Sequence, residues 1–301
     1  MEPKSEIIDL DIIANDIQAD FGLNIHDLCR IQEGYVNEVY SALNGDKEVI
    51  VRIARGRNAY PVEIWAYDKF RSLGIPCPNL ISYQEHPIKT KHPTVIMEKV
   101  AGHALNQTEL SPESESKIYH EVGEILAKVH KIKIQGFGFL IFQEGKLVGD
   151  YKTPRKHWES QDTAKHLQYL LQKSLVTESE FQTINDIYKT ILETEVQESV
   201  FVYNDLHKAH IFTDGERVTG VIDVGNSFSG DPRYDIACTL FFLDQNESSA
   251  FKEGYGKLAE DPMVSKYLIF ITALKSGWRH KDGNLAGSEK ALTKLKRLLY
   301  Y

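Results

Sequence analysis

The stretch Val202–Ala237, VYNDLHKAHIFTDGERVTGVIDVGNSFSGDPRYDIA, holds four aspartates besides Asp214 of the turn DGER: Asp205, Asp223, Asp231 and Asp235. Asp205 follows the run VFVY and Asp223 follows VTGVI, two runs that read as buried strands. A buried strand has no intrinsic use for a terminal carboxylate. DGER between IFT and VTGVID is a turn, so these two pieces are expected to run antiparallel. His210 and Asp223 are then expected at neighbouring strand ends, with Asp205 at the head of the loop LHKA facing the same space. Two carboxylates beside a histidine suit a divalent cation and a general base. Phosphoryl transfer needs that set, a metal to neutralise phosphate oxygens and an acid to orient a hydroxyl. Taken singly, an aspartate after a strand is more often a cap or turn residue than a catalytic one. Asp231, directly before Pro232, reads as a helix N-cap with proline at the first helical position. Asp235, one turn further on, is placed to hold the preceding loop by hydrogen bonds.

Outward from this stretch, the chain changes character near residue 101. Residues 5–20 carry isoleucines and Leu10 at helical spacing. CRIQEGYVNEVYSAL and KEVIVRIAR flank NGD, a hairpin signal. AYPVEIWAYDKFRSLGIP reads as a helix with Ile64, Tyr67, Phe70 and Leu73 inward, ended by Gly74 and Pro76. NLISYQ and PTVIMEKV read as two more strands. Beyond Gly102 the pattern is mostly helical, with helices expected over 112–131, twice within 160–194, and over 233–243, 247–259, 262–280 and 286–300. The short pieces SVFVYN, HIFT and VTGVID interrupt them. The expectation is an α+β protein: a small antiparallel sheet with a helix over residues 1–101, and a larger helical part over 102–301. A cleft between two such lobes is where small ligands bind.

The 301 residues are 42% hydrophobic, enough for a sizeable core. The formal charge of −8 argues against nucleic acid or an anionic membrane as partner, since both attract basic surface. Cys29, Cys77 and Cys238 are scattered and form no CxxC, so neither a disulfide framework nor a zinc site is indicated. With no apolar leader and no run long enough to span a bilayer, a cytoplasmic location is expected.

YNDLHKAHIF…VIDVGNSFSGDPRYDIA resembles the aminoglycoside/macrolide phosphotransferase family, whose fold is similar to that of protein kinases. The family pattern runs H-G-D-L-H-x-x-N-I-L, then I-D-W/F, then G-D-P-x-x-D-L-A. EGYVNEVYSA is similar to its G-x-x-N-x-V-Y loop, VIVRIAR to its third strand, VIMEKVAG to its linker strand, and ILAKVHKIKIQGFGFL to a helix that ends before G-F-G. The resemblance implies a bilobal kinase-like fold and transfer of phosphate from ATP or GTP, with Mg2+ or Mn2+, to a small hydroxylated molecule. It implies Asp205 as catalytic base and Asp223 as the main metal ligand. Gly34 and Asn37 would meet the nucleotide phosphates, as would Arg52, with Glu63 as its ion-pair partner. Backbone groups of Glu98 and Val100 would read the base edge, and His207 and Asp235 would support phosphate or loop. His130 is expected to be structural.

The chain also departs from the pattern. His210 stands where most members have asparagine, and imidazole nitrogen suits magnesium less well than oxygen does. Macrolide-phosphorylating members resemble the chain here, with D-L-H-x-x-H-I, which leaves His210 as a second metal ligand or as a hydrogen-bond partner. Tyr203, Asn204 and Val224 replace the usual histidine, glycine and aromatic residue. The acceptor stays open between an aminoglycoside, which would want the acids Asp244, Glu247, Glu253, Glu260 and Asp261, and a macrolide. The latter would want an apolar slot such as Phe241, Phe242, Tyr255, Tyr267 and Trp278 offer. A sugar or amino-alcohol kinase, and a degenerate nucleotide-binding protein without turnover, are the alternatives. A protein kinase is disfavoured, because DVGNSFSGDPRYD is too short for an activation segment.

Overall fold

A computed structural model describes residues 10–31, 37–56 and 58–300. The chain divides into two units. One runs through Gly102 and takes up Thr219–Gly225 as well; the other comprises His103–Val218 and the residues from Asn226 on.

The first unit is built from α1 (Leu10–Phe21), β1 (Ile25–Ile31), β2 (Asn37–Asn44), β3 (Lys47–Ala54), α2 (Tyr60–Ser72), β4 (Leu80–Gln84) and β5 (Thr94–Glu98). The strands form one antiparallel sheet in the order β1-β2-β3-β5-β4. The NGD signal is the β2–β3 connection: Asn44 pairs with Lys47, and Gly45 takes a left-handed φ of 62°. Period-two alternation in KEVIVRIA buries Val49, Val51 and Ile53 on one face. They pack with Ile17 of α1, Ile25, Tyr40, Ala42 and Ile96. Arg52 therefore points to the opposite face. At the end of α1 the Asp20 carboxylate accepts the amides of Ile88, Lys89 and Thr90 at 2.9–3.0 Å. Burial would raise its pKa, but these bonds outweigh that and hold it below the usual value.

On α2 the buried residues are Tyr60, Glu63, Ala66, Tyr67 and Phe70. Ile64 and Leu73, expected inward, are only half-buried. The helix is turned so that a carboxylate, not Ile64, faces in, and Arg52 receives it.

The second unit contains β6 (His103–Ala104), α3 (Pro112–Val129), β7 (Phe137–Gln143), β8 (Lys146–Tyr151), α4 (Pro154–Ser160), α5 (Thr163–Gln172), α6 (Glu178–Glu193), β9 (Val200–Val202) and β10 (Ile211–Thr213). After β11 (Val218–Val221), at whose start the chain leaves this unit, come β12 (Phe228–Gly230), α7 (Pro232–Phe242), α8 (Gln245–Tyr255), α9 (Pro262–Lys281) and α10 (Leu285–Tyr300). The order β8-β7-β12-β9 makes a four-stranded antiparallel sheet, and β10 pairs with β6.

Among the described residues the helix expectations hold to within a few residues; residues 5–9 of the first expected helix lie outside them. The β7–β8 hairpin, β12 and α4 were not anticipated from the pattern, in which GFGFL (136–140) reads only as a break after the 112–131 helix. FGFLIFQEGKLVGDY does not alternate cleanly, because both faces carry apolar residues. Its hairpin signal is Glu144–Gly145, with φ of 50° and 75°, a two-residue loop of the mirror-image type that favours hairpins.

Where this sheet meets α4, His157 is buried among aromatic rings. It stacks on Phe228 at 5.2 Å and meets the edge of Phe139 at 5.6 Å. Its Nδ1 is buried and has no hydrogen-bond partner among the described residues. Burial pushes its pKa from 6.5 down to about 4. The unfolded chain therefore binds the proton more tightly. The stability this group contributes is present above pH 6.5 and is lost as pH falls towards 4, a change of up to about 3 kcal/mol. His157→Phe is expected to flatten the urea midpoint between those pH values. An unchanged acid slope would show that His157 is not the group responsible.

Candidate active site

The loop after β9 is held from beneath. Asp235, fully buried on the first turn of α7, accepts the amide of Tyr203 at 2.6 Å through Oδ2 and that of Asn204 at 2.8 Å through Oδ1. Its Oδ2 also meets Nε2 of His130 at 2.9 Å, and Nδ1 of His130 meets the Tyr255 hydroxyl at 2.7 Å. The thiol of Cys238 donates to the Asn204 carbonyl at 2.9 Å. Asn204 is left-handed, φ 71°, a conformation that glycine takes freely and asparagine tolerates best among residues with a Cβ. That is the physical reason asparagine can stand in the glycine place of the family pattern. Tyr203, in the place of the family's histidine, is fully buried.

Asp205, next in the chain, is partly exposed. His207 Nε2 lies 3.6 Å from its Oδ1, and His210 Nδ1 lies 3.9 Å from its Oδ2 and 2.8 Å from its backbone carbonyl oxygen. The two imidazoles lie 3.9 Å apart, centroid to centroid, tilted by 30°. Phe242 flanks His207 at 4.9 Å. Lys208, which the sequence did not single out, ties the loop outward. Its ammonium donates to Glu247 at 2.5 Å and lies 3.7 Å from Glu115. Burial disfavours its charge, yet Glu247 and Glu115 hold its pKa above the usual value. The position of Glu247, some forty residues downstream, is what the sequence could not disclose.

In the first unit, Arg52 donates to Glu63 at 2.5 Å and has a second nitrogen 3.8 Å from Asp223 Oδ1. Burial pushes the Glu63 carboxyl up, opposed by Arg52. Burial works against the Arg52 charge too, but Glu63 and Asp223 more than restore it. Asp223 is left-handed at φ 63°, with a side chain 40% exposed, and its amide donates to the hydroxyl of buried Tyr67 at 3.0 Å. The other Glu63 oxygen, Oε1, is buried without a hydrogen-bond partner among the described residues, and a Cβ on Gly225 would stand 2.9 Å from it. Arg52→Lys keeps a charge but loses the planar fork, and is expected to cost about 1–2 kcal/mol in urea unfolding.

The other expected residues divide between the two units. Gly34 lies outside the described residues. Asn37 opens β2, and its Oδ1 is buried with no hydrogen-bond partner among the described residues. Glu98 ends β5, and its amide donates to the Asn79 carbonyl, so that amide is already engaged. Val100 packs where a Cβ on Gly220 would strike it. Asp231 is the N-cap of α7 and also grips Arg233 and Tyr267. Of the five acids weighed for a cationic acceptor, all but Glu253 are seen with other partners. Asp244 and Glu247 form the capping box of α8, Asp261 caps α9, and Glu260 pairs with Lys252. Of the aromatic set, Phe241 and Tyr267 are core, and Tyr255 binds His130.

Residues 27–267 match the phosphotransferase enzyme family. A curated relative, hygromycin-B 4-O-kinase of Escherichia coli, is 21% identical over 82% of this chain and 73% of its own length. Among solved structures, a thermostable mutant of aminoglycoside phosphotransferase APH(4)-Ia, in ternary complex with AMP-PNP and hygromycin B, superposes with a TM-score of 0.74. It is 20% identical, with 95% of this chain and 97% of that one covered. Spectinomycin phosphotransferase APH(9)-Ia, complexed with ADP and spectinomycin, gives 0.66 at 15% identity over 97% and 95%. The fold is thus the kinase-like fold of the aminoglycoside phosphotransferases, and with most of its length matched the chain belongs to the phosphotransferase enzyme family.

Proposed function

We propose that this protein transfers the γ-phosphoryl group of ATP or GTP to a hydroxyl of a small molecule, with an aminoglycoside-like antibiotic as the first acceptor class to test. The observation that carries this reading is the clamp beneath Asp205. Asp235 fixes the two amides before it, so the carboxylate stands on a rigid backbone while its oxygens remain reachable. A base so positioned can take the proton of an acceptor hydroxyl. Arg52, held by Glu63, would grip the non-transferred phosphates, with Gly34 and Asn37 beside it. Glu98 and Val100 would meet the base of the nucleotide through their backbone. Nucleotide binding is assigned to the part of the chain up to residue 101 and acceptor binding to the part from residue 102.

A divalent cation fits the donor set unevenly. Asp223 is an exposed oxygen donor, as Mg2+ requires, whereas His210 offers nitrogen. When bound, Mg2+ supplies charge neutralisation at the phosphate oxygens. Asp223 would be its main ligand and His210 an auxiliary one, with His207 supporting the transferring phosphate.

The test is nucleotide consumption with ATP and with GTP across hygromycin B, spectinomycin, macrolides, sugars and amino alcohols. Acceptor-dependent turnover is expected with at least one class. Nucleotide binding with no turnover on any acceptor would favour a degenerate, non-catalytic member. A hygromycin-type acceptor is favoured over a macrolide by the relative and the structure of highest TM-score reported above.

A further inference from the structure

Asp205, His207 and His210 each offer a ligand atom, and these atoms lie within 4.8 Å of one another. Among the described residues it is the one group of three or more histidine, cysteine or acidic side chains so arranged. We infer that this loop is a binding site for a late transition-metal cation such as Zn2+, which would take His210 from the auxiliary role proposed for it towards Mg2+.

Three features of the loop point this way. The first is the donor set. Two imidazoles and one carboxylate match the preferences of Zn2+, Ni2+ and Co2+, and leave open positions for water or substrate. Mg2+ demands oxygen and would find one carboxylate here. The second is the environment of His210. Its Nδ1 stands 2.8 Å from the Asp205 carbonyl oxygen, which can only accept, so Nδ1 carries the proton and the lone pair sits on Nε2. A ligating histidine characteristically donates its other ring N–H to a backbone carbonyl in this way, which fixes tautomer and ring orientation. The third is the spacing. Imidazoles 3.9 Å apart repel when both are charged, whereas a shared cation reconciles two neutral rings with the carboxylate. His207 Nδ1 accepts the Ala209 amide at 3.2 Å, so ligation through Nε2 moves its proton to Nδ1 and gives up that long bond. Ligand atoms around zinc stand roughly 3.3 Å apart, so the side chains close in slightly on the ion.

Binding of the metal does not depend on the proposed activity. Its consequence does: a cation on the Asp205 carboxylate occupies the lone pair that would accept the acceptor's proton. Zinc is therefore expected to inhibit phosphoryl transfer at concentrations where Mg2+ supports it.

The site is tested with Zn2+ alone, without nucleotide or acceptor, by titrating the metal-free chain against a chromophoric chelator. One tight equivalent is expected that millimolar Mg2+ does not displace. His207→Ala and His210→Asn are each expected to weaken it at least about tenfold. X-ray absorption of the zinc-loaded parent protein, which needs no variant to fold, is expected to count two imidazoles in the shell. No tight equivalent, unchanged affinity in either variant, or an all-oxygen shell would overturn the inference. A failed zinc titration with acceptor-dependent turnover intact sinks this site alone. Zinc binding without any turnover leaves the site and removes the activity.

Discussion

Gly254→Ala is expected to lower the unfolding free energy by about 4 kcal/mol, because the added methyl meets backbone and not a flexible side chain. α3 and α8 cross with their backbones in direct contact. A Cβ on Gly254 would fall on the carbonyl of His120, well inside van der Waals distance, with the His120 Cα at 3.0 Å. At the reciprocal position, a Cβ on Gly123 would meet the carbonyl of Phe251 and stand 2.6 Å from the Tyr255 nitrogen. Neither neighbour is a flexible side chain that can swing away, so the helices must separate. Separation also pulls Tyr255 from His130, and with it the support of Asp235. Urea denaturation checks the size, and loss of the support should show as faster proteolysis of the segment around Asn204. A midpoint within experimental error of the parent would mean that the helices do not cross this closely.

Asp235→Asn is expected to cost about 3 kcal/mol and to reduce kcat by about 10²-fold. The carboxylate receives two amide donors and faces a histidine nitrogen in a fully buried place. An asparagine of the same shape has a single acceptor oxygen. Its NH2 would confront one of the amides of Tyr203 or Asn204, leaving that buried donor unsatisfied. The geometric consequence falls on Asp205, one residue further along. Because Asp235 touches neither nucleotide nor acceptor in the proposed scheme, the fall is expected in kcat with KM for nucleotide unchanged. Equal kcat with a stable fold would remove Asp235 from the positioning machinery.

Sequence patterns carried most of the helical architecture because amphipathic periodicity is a local property. All the expected helices are present, and Asp231 caps α7 as its place before Pro232 required. The β7–β8 hairpin escaped because both of its faces are apolar, which erases alternation. Glu63 shows the other limit. On a helix read by periodicity it is an exposed polar position, and only the arrival of Arg52 from a strand eleven residues earlier makes it a core residue. Asp205 and Asp223 stood out in the sequence because a carboxylate beside an apolar strand is locally anomalous, whereas Arg52 was marked only by the family resemblance. Lys208, Tyr67 and the His130–Tyr255 pair carry no such anomaly, since their meaning lies in partners remote along the chain. The acidic residues around α8 illustrate the same point in reverse: an acidic run suggested a cationic acceptor, while Asp244 and Glu247 are used in a cap and an ion pair.

The most direct measurement of the account is acceptor-dependent phosphoryl transfer by the parent protein and by Asp205→Asn. Hygromycin B, spectinomycin and the other acceptors of the screen are compared in metal-chelated buffer restored with Mg2+, and the phosphorylated product is followed by phosphorus NMR. Asp205→Asn removes the proton acceptor while keeping shape, so product formation is expected to fall by about 10²–10⁴-fold with nucleotide affinity retained. Turnover by Asp205→Asn equal to the parent's would contradict the assignment of Asp205 as the base and the reading of this loop as the catalytic one.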